Sequence, residues 1–307
     1  MIPPAPEAVP ANLGEAQRPP WLLPLLAVMI LALGFNWPLI SLGVDAIDPV
    51  WLGALRVLVA AVLSLFFGVA TGRLGRPHRG DSSIILGVAV FRIALTIAIV
   101  FTAVQFVPAG RSSVLVWTAS LWTVPMAAIF VGERMTPLRW LGLAIGIAGI
   151  VSIVEPWRLD WTDGGVVVGH AMLLFVALFT AGVTVQLRGH QWATTPLDVL
   201  PHQLGLAAAL LVGCALAVHG FPHIDWTWGL GLNVLYQGAA ASMFATWAQS
   251  TVLRHYPAIS TQLAMMAVPV VGLFSSVAIL DEALTLAAVV GVACIVAGVA
   301  LGLWDGE

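Results

Sequence analysis

Apolar residues run along this chain in blocks of about twenty. The blocks are too long and continuous for the polar alternation of a strand, and they lack the polar face of a surface helix. They stand at 21–43, 49–71, 82–106, 110–131, 137–155, 165–187, 198–220, 228–251, 257–279 and 284–304. About twenty apolar residues in helical form cross the hydrocarbon layer of a bilayer. Breakers separate them: Asp48-Pro49, Gly75-Arg76-Pro77, Val107-Pro108, Thr136-Pro137, Thr195-Pro196 and Tyr256-Pro257. The pattern predicts an all-α integral membrane protein of ten transmembrane helices behind a Pro-rich tail over residues 1–20. The first run is too long for a signal-peptide core and has no convincing cleavage site, so it reads as a retained anchor.

Composition agrees and narrows the field. Of 307 residues, 60% are apolar and 9% charged, and the mean hydropathy is +0.99. A soluble domain carries roughly 25% charged residues. The net charge is −3 and Lys is absent, which argues against a nucleic-acid partner. Cys214 and Cys294 both fall inside apolar runs, so neither a disulfide framework nor a Cys-rich metal site is expected, and no cofactor is implied. An outer-membrane barrel would show segments of about ten residues with alternating polarity instead. The connections are too short for a soluble catalytic domain.

Arg placement orients the chain. With the N-terminus cytoplasmic, Arg18, Arg73, Arg76, Arg79, Arg134, Arg139, Arg188 and Arg254 lie inside, and only Arg111 and Arg158 outside. That asymmetry satisfies the positive-inside rule and puts both termini in the cytoplasm of a cell whose inner membrane holds the protein.

The chain also repeats itself. Sliding it by 149 positions lays residues 108–149 on 257–298 without a gap. Pro108-Ala109 meets Pro257-Ala258, Glu133 meets Glu282, Thr136 meets Thr285, and Gly142 and Gly149 meet Gly291 and Gly298. Two five-helix units, 21–155 and 165–304, follow. Five is odd, so the second unit enters the membrane from the opposite side. Inverted repeats are a transporter architecture in which two similar halves exchange shapes around a midplane site.

Chemistry-bearing residues are few inside the spans. Glu133 and Glu282 lie near span ends, and no carboxylate stands at a midplane. A proton relay built on an embedded acid or His therefore has no evident member, and a pocket for organic cations lacks its anion. Arg56 and Arg92 are embedded. Arg92, with Thr96 one turn on, fits either a carboxylate anchor or a structural tie. Ser113, Trp117 and Ser120 share one helical face, as do Gln262, Met266 and Pro269 at the corresponding place in the second unit. If the two faces meet, a Trp and a Met edged by Ser and Gln suit a moderately apolar ligand, or ordinary helix packing. Asn36 beside Pro38, Thr180, and Gln237 above a stripe of Ala241, Ala245 and Ala248 complete the candidate binding set. Pro38, Pro125 and Pro269 are candidate bends. The Gly-rich spans 137–155 and 284–304 read as packing elements.

These residues resemble the drug/metabolite transporter superfamily, EamA type. The resemblance covers about 21–304. Its marks are Arg56 in PVWLGALRVLVAAVL, Glu133 in MAAIFVGERMTPLRWLGLAIGIAGI, and PAISTQLAMMAVPVVGLFSSVAILDEALTLAAVVGVACIVAGVALG with its central Pro269 and its Glu282. The Trp117 segment, SSVLVWTASLWTVP, looks like YddG-type exporters of aromatic amino acids. The resemblance implies alternating-access export of a small organic solute, an amino acid, with Arg56 locking the second span to its neighbours. Other solutes of the superfamily, a nucleobase, a nucleotide sugar or a drug-like metabolite, remain alternatives. An intramembrane enzyme would need an Asp pair, a Ser–His set or a His/Glu cluster at depth, and none is found. A channel would differ in not saturating. The expected partners are the solute and the bilayer; nothing indicates an oligomer.

Overall fold

The structure is a computed structural model that describes residues 19–75, 77–133, 135–281 and 285–304. Among them no strand occurs. The helices are α1 (Leu22–Val44), α2 (Pro49–Ala70), α3 (Arg79–Ala103), α4 (Ala109–Phe130), α5 (Pro137–Val154), α6 (Gly164–Gly189), α7 (Pro196–His219), α8 (residues 228–255), α9 (Ala258–Leu280) and α10 (Leu286–Trp304). Eight of them, α1–α7 and α9, are long and apolar enough to cross a membrane. Large apolar side chains such as Phe66, Ile129 and Phe130 stand on the outside, as lipid contact requires. Glu282 lies outside the described residues.

The sequence breakers become helix starts. The Asp48 carboxylate accepts from the N–H groups of Val50 and Trp51, with Pro49 as the first helical residue. Thr136 accepts from Arg139 N ahead of Pro137. Thr195 and Asp198 form a reciprocal capping box around Pro196. Pro there loses nothing, because its missing N–H would have had no helical partner.

Several irregularities recur at a spacing of about 149. α3 widens to i→i+5 turns over Gly87–Leu95, and α8 does so over Ala239–Phe244. α4 breaks after Trp117 and α9 after Met265. Pro269 explains the second break: it has no N–H to offer the carbonyl of Met265. At the first, the Thr118 hydroxyl donates to the Leu115 carbonyl at 2.6 Å, competing with the helical ladder. Past α4 and α9 the chain turns through the left-handed region at Gly132 (φ 73°) and Asp281 (φ 53°).

α5 and α10 lie against each other along their glycines. A Cβ at Gly298 would come 2.5 Å from the carbonyl oxygen of Gly142. One at Gly149 would come 2.5 Å from that of Gly291, and one at Gly291 would come 2.6 Å from that of Gly149. The start of one helix thus touches the end of the other. Only residues without side chains let the backbones approach so closely.

Candidate functional site

A cavity of about 140 Å³ lies in the centre of the bundle. Its walls come from α1, α3, α4, α6, α8 and α9, with Arg56 reaching in from α2, while α5 and α10 stay outside. Both widened segments face it, through Arg92 on α3 and through Ala241 and Ser242 on α8. Widened turns of this kind recur at functional sites because they displace side chains from regular helical phase.

The two embedded arginines differ in their surroundings. Arg56 is 5% exposed. Its Nε donates to Ser242 Oγ at 2.8 Å and its Nη1 to Gln237 Oε1 at 3.4 Å. Its guanidinium carbon stands 5.4 Å from the centre of the Phe101 ring. Arg56 so ties α2 to α3 and α8. Arg92 donates from Nη2 to Gln249 Oε1 on α8, and its Nη1 is buried without a hydrogen-bond partner among the described residues. Asn36 Oδ1, Trp117 Nε1 and Gln249 Nε2 are likewise buried and unpartnered at the cavity wall. Buried polar atoms are nearly always satisfied; among the described residues such unpartnered atoms also occur elsewhere, at Ser113, Gln203 and Ser276 for example, but four of them belong to residues lining this one cavity.

The sequence-derived residues fall into three groups. Asn36, Arg92, Thr96, Trp117, Thr180 and Gln262 line the cavity together. The hydroxyls of Thr96 and Thr180 are 3.5 Å apart. Ser120, Gln237 and Met266 lie outside the lining. Ser120 Oγ donates to the Gln262 carbonyl at 3.2 Å and so joins α4 to α9. Gln237 Nε2 donates to the Leu39 carbonyl at 3.3 Å and to Asn233 Oδ1 at 2.5 Å. Met266 is fully buried, with its methyl group over Gly146 of α5. The remaining residues shape the helices. Pro38 leaves the Gly34 carbonyl without its helical donor, and Ser275 Oγ reaches that carbonyl from α9 at 3.4 Å. Pro125 sits inside α4.

Trp37, Phe101, Ser242 and Gln249 also line the cavity, and sequence reasoning passed them over. A signal existed for Gln249: it continues the stripe of Ala241 and Ala245 by another four residues.

Glu133 sits at one end of the bundle, beyond the cavity. Its carboxylate accepts from Ala258 N at 2.7 Å and Ile259 N at 2.9 Å, at the start of α9. Arg188, at the end of α6, donates to it from Nε at 3.1 Å. A fully buried carboxylate, Asp81, lies at the start of α3 and meets His190 Nε2 at 2.8 Å and the Thr194 hydroxyl at 2.7 Å. Among the described residues no group of three or more His, Cys, Asp or Glu could hold a metal ion.

Comparison with known proteins places this geometry in context. The model of the EamA-like transporter family matches the chain twice, over residues 20–155 and 167–304. An Escherichia coli (strain K12) protein named "Probable amino-acid metabolite efflux pump" is 26% identical over 295 residues, covering 91% of this chain and 94% of that one. "Probable terminal-alkyne amino-acid exporter" of Streptantibioticus cattleyicolor is 30% identical over 213 residues, covering 64% of this chain and 65% of that one. A solved crystal structure superposes with a TM-score of 0.73 at 19% identity, over 91% of this chain and 98% of that chain, a likeness of fold.

Proposed function

The chain belongs to the EamA-like transporter family, and on that premise we propose that this multi-pass membrane transporter exports neutral amino acids, aromatic ones included, across the inner membrane by alternating access. All ten helices cross the bilayer in this reading, as two inverted repeats over 21–155 and 165–304 with both termini cytoplasmic. The twofold family match supports the repeats. So do the irregularities recurring at a spacing of about 149 and the reciprocal glycine contacts between α5 and α10, which a two-fold axis perpendicular to both helices would produce.

The observation that carries the substrate assignment is the set of four unpartnered polar atoms around the cavity. Arg92 Nη1, Trp117 Nε1 and Gln249 Nε2 are donors for a carboxylate, and Asn36 Oδ1 is an acceptor for an amino group. Apolar lining from Ile93, Ile97, Val100 and Phe101 takes the side chain. Thr96, Thr180 and Gln262 add polar contacts, while Ser120, Gln237 and Met266 hold the lining in place from behind. Glu133 joins α4 to α9 at the cytoplasmic end and would part when the site opens there. The relatives named for amino-acid efflux and export agree with this substrate class.

Counterflow in proteoliposomes tests the proposal. Vesicles loaded with unlabelled Phe, Trp, Met or Thr should accelerate uptake of the labelled amino acid and saturate with concentration. Exchange of nucleobases or sugars, with none for any amino acid, would leave a carrier and remove the substrate assignment. Flux that never saturates would indicate a channel.

A further inference from the structure

On the transporter reading above, we infer that the central cavity selects for a carboxylate and is indifferent to a charged amine. Its solutes then include N-acylated amino acids and 2-oxo acids beside free amino acids, and exclude amines and amino-acid amides.

The charge balance of the wall points there. Arg56 and Arg92 line the cavity, and no Asp or Glu is among the lining residues. Arg56 is engaged by Ser242, Gln237 and Phe101. Arg92 is held at one nitrogen by Gln249, which leaves its other terminal nitrogen unpartnered. A guanidinium in a low-dielectric site is costly without a counter-charge, and the shape that answers its planar fork is a carboxylate. Trp117 Nε1 on α4 and Gln249 Nε2 on α8 are two further unpartnered donors among the lining residues, both residues at least nine-tenths buried. Every unpartnered group but one is therefore a donor, and two of the three donor residues are neutral, so they add hydrogen bonds without adding charge.

The amine end meets the opposite situation. The unpartnered acceptor is Asn36 Oδ1, a neutral amide oxygen on a residue 5% exposed. It can accept from an ammonium, from an amide N–H or, where the ligand offers neither, from water. An ammonium brought there finds no anionic side chain and shares the cavity with guanidinium charge. That like-charge repulsion offsets the charge-assisted gain of its hydrogen bond, so losing the ammonium costs little. Losing the carboxylate leaves three buried donors unanswered.

One matched series tests this with the side chain held constant: phenylalanine, N-acetylphenylalanine, phenylpyruvate, phenylalaninamide and phenethylamine. Competition against labelled phenylalanine counterflow gives one readout. Ligand-induced thermal stabilisation of the purified transporter in nanodiscs gives a second that needs no transport. The three acids should act within about tenfold of one another, and the amide and the amine should be weaker by about 10- to 100-fold, the range of a charge-assisted hydrogen bond. Equal action by phenylalaninamide overturns the inference. So does inactivity of both N-acetylphenylalanine and phenylpyruvate beside active phenylalanine.

The variant Gln249→Glu supplies Arg92 with an internal carboxylate of the same length. It should unfold at a temperature close to that of the parent and weaken the acids by at least about tenfold. An undiminished acid preference in that variant overturns the inference. If labelled phenylalanine does not exchange at all, the proposed export of amino acids fails by itself. The stabilisation series then decides separately: acids above amines upholds carboxylate selection, and no response to any of the five overturns it.

Discussion

Glu133 closes the start of a helix that begins at Ala258, 125 residues later: its Oε1 lies 2.7 Å from the Ala258 amide nitrogen. Oε2 takes the next amide, Ile259 N, at 2.9 Å. The first N–H groups of any helix lack internal partners and carry the positive end of its dipole. Pro257 precedes them and has no side chain that could cap. A carboxylate from the other half of the chain does this instead.

Replacing Glu133 should therefore destabilise the fold in a graded way. Glu133→Ala removes the acceptor for two amides and the partner of Arg188, a loss of about 1–3 kcal/mol. Glu133→Gln keeps one acceptor and should lose less. Thermal unfolding in detergent should rank parent, Gln and Ala in descending order. A Glu133→Ala, Arg188→Ala cycle should be non-additive by more than about 0.5 kcal/mol; additive effects would mean the two side chains act separately.

The two embedded arginines should separate stability from transport. Arg56→Met strands Ser242 and Gln237 in the interior and should lower stability by about 1–3 kcal/mol. Arg92→Met should change the unfolding temperature less and raise the KM for exchange by more than about tenfold, as expected for loss of a charge-assisted contact. The reverse pattern would exchange the roles assigned to them.

Gly149, Gly291 and Gly298 should tolerate no side chain. Gly→Ala in a helix ordinarily gains up to about 1 kcal/mol. In Gly298→Ala the new Cβ would lie 2.5 Å from Gly142 O and 2.9 Å from Gly146 N, both backbone atoms that cannot turn aside. That variant should unfold at a clearly lower temperature. Gly213→Ala in α7 meets nothing within 4 Å and should lose no stability.

Accessibility should follow the cavity. In a protein with Cys214 and Cys294 replaced by Ala, Thr180→Cys and Ala245→Cys should react with a water-soluble thiol reagent, and a transported solute should slow the reaction. Leu204→Cys, fully buried in α7 and away from the cavity, should stay inert. Cavity positions that never react in any condition would rule out a central aqueous route. Trp117→Ala should abolish exchange, and Trp117→Phe, which keeps a ring and loses Nε1–H, should retain part of it.

Much of the fold is legible in the linear order. Asp48-Pro49, Thr136-Pro137 and Thr195-Pro196 announce helix starts, and each is one. These are local effects, since a cap and its Pro need only the next few residues. The cavity residues were legible in part. Asn36, Arg92, Thr96, Trp117, Thr180 and Gln262 are polar or aromatic side chains within apolar runs, and they converge on one space. Gln249 follows Ala241 and Ala245 at steps of four, which drift by about 80° in a regular helix, so the stripe signalled it only in part. The widened turn over Ala239–Phe244 restores it to that face. Met266 sits one residue past a break in α9, where helical phase no longer predicts direction, and it points to Gly146.

The order of residues alone specifies long apolar helices, because a chain in lipid must satisfy its backbone internally. It also specifies the landmarks shared at a spacing of 149, because those are identities of residue type. Which polar side chains face one another is settled in three dimensions. That outcome depends on helix phase, on widened turns, and on close approaches such as Gly149 against Gly291 that set the neighbours. Arg56 and Arg92 are the same residue type in similar apolar runs. Only their surroundings, Ser242, Gln237 and Phe101 around one and Gln249 beside the other, make the first a tie and leave the second with a nitrogen to offer.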